Sequence, residues 1–212
     1  MSNPTQWWWV RHAPVVGYDG RLYGQTDVPC DTSDSKAFRC LAETLPADAA
    51  WVVTHLSRTA RTAAAIADAG MTVPEPAVEP DLAEQFFGDW QGLTWDEMKI
   101  ADADAYETFW EEPADNAPPG GESFAAVIER TAAVIERLNA AHAGRDIVAV
   151  THGGTIRAAL AVALDLTPAR ALGLRIDNLS LSRVEHIPDG FLRGHGGAWR
   201  VTGMNVPPRA SP

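Results

Sequence analysis

Cysteine is nearly missing from this chain. Cys30 and Cys40 are the only two, too few for a disulfide framework and without the spacing of a metal site. Long hydrophobic runs are missing too. None approaches the ~20 residues of a membrane span, so no membrane partner is expected. The opening residues Met1-Ser2-Asn3-Pro4-Thr5-Gln6 lack the basic start and apolar stretch of a signal peptide, and a cytoplasmic location is expected. Basic residues are scarce: 17 Lys and Arg against 28 Asp and Glu leave a formal charge of -11. That argues against nucleic acid as a partner, which needs a basic face. It also sets a constraint, because the overall field repels anions. A site for an anion must gather its few cations locally.

What is present reads as an α/β chain of 212 residues, long enough for one domain with a sizeable core. Short apolar runs at residues 7–11, 50–54 and 147–151 alternate with helical patterns at 33–44, 58–69, 124–138 and 153–164. Such alternation predicts a largely parallel sheet. Residues 84–121 break the pattern. They hold Trp90, Trp95 and Trp110, a capping-box signature from Thr94 to Glu97, and the breaker Pro118-Pro119-Gly120-Gly121. This segment is expected to be an excursion of short helices, its tryptophans packed within it or covering a substrate. A single domain is expected over residues 1–204, with late strands at 179–184 and 199–202 and a loose tail at 205–212.

Two histidines, 140 residues apart, carry the strongest signal. His12 closes the run Trp7-Trp8-Trp9-Val10-Arg11, and His152 closes Ile147-Val148-Ala149-Val150-Thr151 before Gly153-Gly154. In open α/β sheets ligands bind in the crevice beyond the carboxyl ends of the strands, so two such histidines can build one site. The neighbouring arginine and glycines suit an anion.

Further segments keep them company. Thr54-His55-Leu56-Ser57-Arg58 places Arg58 just past a strand, and Leu82-Ala83-Glu84-Gln85-Phe86-Phe87 places Glu84 beyond another apolar pair. Gly120-Gly121-Glu122-Ser123 precedes the longest helical pattern. In this order and spacing, from Trp7 to about Arg157, the chain resembles the phosphoglycerate-mutase-like histidine phosphatase superfamily.

The resemblance implies a three-layer α/β/α sandwich with a phosphate pocket at the sheet edge and the helical excursion over it. It makes His12 the nucleophile, Glu84 the proton donor, and Arg11, Arg58 and His152 the phosphoryl ligands, with no cofactor. The short excursion with Phe87-Gly88-Asp89-Trp90-Gln91-Gly92 resembles the phosphatase branch. Tyr23-Gly24-Gln25-Thr26-Asp27-Val28-Pro29 is similar to a loop of α-ribazole phosphatases, which adds Tyr23, Gln25 and Thr26, beside Gly153, as expected substrate contacts. Departures from the family pattern are Ala13-Pro14 after His12, Thr54-His55 for a serine-proline pair, and Gln91 for a glutamate.

The chemistry fits those residue types independently. Phosphoryl transfer needs in-line positioning and neutralisation of the equatorial oxygens. Arginine offers a permanently charged fork for them, and a protonated His152 with the amides of Gly153 and Gly154 would add donors. His12 must keep one ring nitrogen unprotonated. The apolar neighbours Phe86 and Phe87 would raise the pKa of Glu84 and the arginines would lower it. The expected activity is metal-independent hydrolysis of a small phosphate monoester, with α-ribazole phosphate the leading named substrate. The alternatives are a mutase that returns the phosphoryl group to substrate, and an inactive binding protein on the same fold.

Overall fold

The computed structural model describes residues 3–190 and 198–208. Its centre is a six-stranded sheet in the order β3-β2-β4-β1-β5-β6. Strands β1 (Thr5–Arg11), β2 (Ala50–Val53), β3 (Ala77–Val78) and β4 (Asp146–Thr151) run parallel. Strands β5 (Leu181–His186) and β6 (Trp199–Val206) add antiparallel pairings on the β1 side.

Helices cover both faces. Trp7 and Trp9, fully buried and stacked at 4.6 Å, point to one face, where they meet Ile147, Ala149, Ile156 and Leu160. Val10, Val148 and Val150 point to the other, against Phe38, Leu41 and Ile66. The first face belongs to α5 (Phe124–Ala141) and α6 (Gly153–Leu164), the second to α1 (Ser35–Thr44) and α2 (Ser57–Asp68). Because β4 is covered on both sides, its sequence is continuously apolar rather than alternating. Ser123 caps α5 by accepting from the Ala126 amide, and the buried positions Phe124, Val127, Val134, Ile135 and Leu138 follow the helical period.

The excursion forms α3 (Trp95–Ala101) and α4 (Ala103–Glu111), with the Thr94–Glu97 capping box in place. It is tied to the loop after β1 by the Leu22 and Gly92 amides, which donate to Leu93 and Leu22 carbonyls. An ion pair between Arg21 and Glu97 at 2.7 Å adds to this. A short α7 (Pro168–Ala171) precedes β5.

Both late strands differ from the sequence expectation: β5 runs over Leu181–His186 and not 179–184, because Leu179 has a left-handed backbone (φ 59°). Strand β6 continues to Val206, so residues 205 and 206 belong to the sheet and not to the tail. Asn205 holds that end: its side-chain oxygen accepts from the Asp177 amide at 2.7 Å. Residues 209–212 of the expected tail, and 191–197 of the expected domain, lie outside the described residues. No helix among the described residues is long and apolar enough to cross a membrane.

Candidate active site

Strands β1 and β4 are direct neighbours, with Arg11 opposite Thr151 in register. His12 and His152 are the next residues of each strand, so both leave the sheet at the same edge. The helices switch faces here, which opens the crevice that α/β sheets use for ligands. The His12 amide still donates to the Thr151 carbonyl at 2.9 Å, and the two imidazoles sit 5.2 Å apart between centroids.

Each ring is held by one nitrogen. His12 Nδ1 lies 2.7 Å from the Ala13 carbonyl. A carbonyl can only accept, so Nδ1 carries the proton and Nε2 the lone pair. The Ala13 amide is itself held by Thr62 Oγ1, and the His12 carbonyl accepts from Asn178 Nδ2 at 2.8 Å. His152 Nε2 lies 2.9 Å from Thr54 Oγ1. Burial, then the Arg58 charge, push His12 down to about 3. His152 is held well below the usual histidine range by burial and by His12 and Arg58 beside it. Both rings are therefore neutral at ordinary pH. The protonated form of His152, one source of a donor weighed from the sequence, is disfavoured here by desolvation and the surrounding cations.

Arg11 and Arg58 supply the charge. Arg11 donates from Nη1 to the Ile176 carbonyl at 2.7 Å. Arg58 is fully buried, stacks over Tyr23 at 5.1 Å, and donates from Nη1 and Nη2 to the Thr26 and Gly24 carbonyls at 2.9 and 2.7 Å. Four nitrogens are then left buried without a partner: Arg11 Nε, Arg58 Nε, His12 Nε2 and His152 Nδ1. Each unpaired buried polar group costs about 1–3 kcal/mol. Three buried donors beside one lone pair form a cradle for an anion that one ring nitrogen can attack.

Glu84 closes the far side. Its Oε1 accepts from the Gly154 and Gln85 amides, both at 3.0 Å, while Oε2 shares only the Gly154 donor at 3.2 Å. The Gly154 amide is thus committed to Glu84 and not left for a phosphate. Gly153 lies against Arg11, where an added Cβ would sit 3.4 Å from Nε. Tyr23 reaches the His12 ring edge-on at 6.4 Å. Gln25 and Thr26 act as braces: Gln25 Nε2 donates to the Glu84 carbonyl at 2.8 Å, and the Thr26 carbonyl holds Arg58. Gln91 takes the Gln25 amide at 2.7 Å.

A cavity of about 280 Å³ extends outward from Glu84 and Tyr23 between Leu22, Phe87, Trp95 and Arg157. Trp95, on α3, lines this cavity and contacts Trp110 at 5.7 Å, whereas Trp90 is buried within the excursion against Phe109. Phe87 forms the apolar wall beside Glu84, and Phe86 is 38% exposed. Glu122 pairs with Arg130 at 3.0 Å and accepts from the Phe86 amide, a structural role. His55 faces solvent.

Sequence reasoning missed Thr54 as the partner of His152, Asn178, and Arg157. Arg157 was readable, because it stands three positions after Gly154 and so shares its helix face. Asn178 was not, since only the β5 turn brings it to His12.

A model of the histidine phosphatase superfamily (branch 1) matches residues 7–194. The chain is 32% identical over 193 residues to the metal-independent phosphoserine phosphatase of Arabidopsis thaliana, covering 89% of this chain and 79% of that one. It is 27% identical over 188 residues to the adenosylcobalamin/alpha-ribazole phosphatase of Salmonella typhimurium, covering 87% and 91%. Among solved structures, mycobacterial glucosyl-3-phosphoglycerate phosphatase in complex with inorganic phosphate superposes with a TM-score of 0.76 at 28% identity, covering 97% of this chain and 99% of that one.

Proposed function

Because the chain belongs to branch 1 of the histidine phosphatase superfamily and is a phosphatase, we propose that it hydrolyses small phosphate monoesters without a metal, through a phosphohistidine on His12. The observation that carries this reading is the set of unpartnered buried nitrogens. Donors on Arg11, Arg58 and His152 stand beside a single lone pair on His12, an arrangement complementary to a tetrahedral oxyanion.

In the first step His12 Nε2 attacks phosphorus and the bond to the ester oxygen breaks. Glu84 gives its proton to the departing alkoxide; Oε2 carries the weaker amide contact and is the oxygen best able to do so. Arg11 and Arg58 neutralise the equatorial oxygens, and the neutral His152 donates from Nδ1. In the second step Glu84 takes a proton from water, the water oxygen attacks phosphorus, and the P–N bond breaks. Phosphate leaves and His12 returns to its starting tautomer, fixed throughout by the Ala13 carbonyl. Tyr23 and Gly153 shape the walls of the phosphoryl site, while Gln25 and Thr26 hold Glu84 and Arg58 in place. The leaving group occupies the cavity under Trp95. α-Ribazole phosphate belongs in the substrate panel because of the Tyr23–Pro29 stretch and the similarity to a phosphatase of that name.

The test is turnover of 4-nitrophenyl phosphate with excess chelator, together with trapping of ³²P on the protein from the labelled ester by an alkaline detergent quench. Wild type is expected to turn over and to carry an acid-labile label; His12→Asn is expected to do neither. Near-normal turnover by His12→Asn would overturn covalent catalysis.

A further inference from the structure

Residues 176–180 form the irregular turn before β5, and all but Asp177 hydrogen-bond to Arg11 or His12. The Ile176 carbonyl takes Arg11 Nη1 at 2.7 Å, and Asn178 Nδ2 donates to the His12 carbonyl at 2.8 Å. The Leu179 amide donates to the Arg11 carbonyl at 3.0 Å, and the Ser180 carbonyl takes the Arg11 amide at 3.2 Å. Asp177 is gripped instead from the sheet edge, by Asn205 on β6. The Asp177 amide donates to Asn205 Oδ1 at 2.7 Å, and Asn205 Nδ2 donates back to Asp177 Oδ2 at 3.0 Å. Asn205 is anchored in turn, its amide donating to Ser182 Oγ at 3.1 Å. Its backbone is left-handed (φ 51°), a conformation that asparagine and glycine tolerate better than other residues. The Asn205 side chain, and then Arg175, hold the Asp177 carboxyl below the usual carboxylate range, so it stays an acceptor. Arg175 is itself 82% exposed, and an ion pair of that kind contributes little.

We propose that Asn205 is a positioning residue for the reaction: by clasping Asp177 it fixes the turn that sets the Arg11 guanidinium and the His12 main chain. This rests on the phosphomonoesterase reading. His12 has other holds, from the Thr151 and Ala13 carbonyls. The Arg11 guanidinium has fewer, since Nη1 rests on the Ile176 carbonyl and Nε is buried without a partner. A shift of that carbonyl therefore moves the cation that faces the phosphoryl group. Glu84 is held from elsewhere, by the Gly154 and Gln85 amides. The clasp accordingly acts on the phosphoryl cradle and not on the leaving-group acid.

The experiment measures kcat/KM on 4-nitrophenyl phosphate and glycerol 2-phosphate, and the inhibition constant of inorganic phosphate, well below each protein's thermal midpoint. It compares wild type, Asn205→Gly, and the exchange that combines Asp177→Asn with Asn205→Asp. Glycine keeps the left-handed backbone and removes only the clasp. The exchange rebuilds the clasp with donor and acceptor swapped across its second bond. In Asn205→Gly, kcat/KM is expected to fall about 10- to 100-fold, equally on both esters. The phosphate constant should rise about tenfold, as loss of a well-placed cation implies. The exchange is expected to recover most of both. Wild-type values in Asn205→Gly overturn this inference and leave the phosphatase reading standing. A loss confined to glycerol 2-phosphate places the effect on Glu84 and overturns it too, as does a loss that the exchange does not repair. Should Asn205→Gly fail to fold, Asn205→Asp alone replaces it, keeping the acceptor and losing the donor, with the same outcomes deciding. Failure of wild type to hydrolyse either ester overturns both readings.

Discussion

The Glu84 carboxylate rests on the Gly154 amide, 3.0 Å from Oε1 and 3.2 Å from Oε2, and a Cβ at position 154 would run into Oε1. Two distant segments thus meet with no room for a side chain between them. The glycine is required by close approach, and its amide holds the carboxylate that we propose as the acid. Gly154→Ala is expected to displace Glu84 and lower kcat on alkyl phosphates on the order of a hundredfold. Nitrophenyl phosphate should suffer much less, and the thermal midpoint should show the fold intact. Wild-type rates on both esters would detach Gly154 from the acid's placement.

Glu84→Gln separates the acid from its surroundings. The amide keeps the volume and can still accept from Gly154, but it cannot deliver a proton. For an alkyl leaving group the loss in kcat should reach roughly 10²–10⁴. Nitrophenolate leaves without protonation, so its loss should be far smaller. Equal losses on both esters would remove Glu84 from the donor role.

How much of this was readable in the sequence follows from what each residue depends on. His12 and His152 end continuous apolar strands, and parallel pairing of two such strands carries both to one edge, so the pair was legible. Arg58 was legible as a cation beside the site, but not its engagement with the Gly24 and Thr26 carbonyls. Those contacts depend on how a loop 32 residues upstream folds back. The neutral state of His152 was not legible, because burial is a tertiary quantity. The extent of β6 was missed for a related reason. Residues 199–206 alternate half-buried and exposed on an edge strand, and no apolar run marks its end.

Thr54 sets the proton on His152. The Leu56 amide points at Thr54 Oγ1 at 3.3 Å, and the Thr59 hydroxyl is taken by the Leu56 carbonyl at 2.9 Å. Thr54 Oγ1 lies 2.9 Å from His152 Nε2 and 3.2 Å from Thr59 Oγ1; we assign its proton to the shorter contact, which leaves Nδ1–H to face the proposed phosphoryl site. Thr54→Val keeps the shape and removes the donor, while Thr54→Ser restores it. We expect about a tenfold drop in kcat/KM for valine and recovery for serine. Nitrogen-15 NMR should place the His152 proton on Nδ1 in wild type and serine but mixed in valine. An unchanged tautomer in Thr54→Val would contradict the assignment.

The same buried imidazoles make the fold sensitive to acid. Unfolded, His12 has the ordinary value of 6.5; folded, it is depressed to about 3. As pH falls through 6.5 the unfolded chain takes up a proton that the native state refuses, so stability declines towards pH 3. Between pH 7.5 and 5.5 one such histidine removes about 1.4 kcal/mol of unfolding free energy. His152 adds a loss of the same sign. His12→Asn lacks the titrating group, so its stability should fall over that interval by about 1.4 kcal/mol less than wild type. Urea titrations in phosphate-free buffer measure the difference, phosphate being left out because a ligand of the native state would stabilise it. Parallel pH dependence in the two proteins would mean that His12 titrates alike folded and unfolded, against its burial between two arginines.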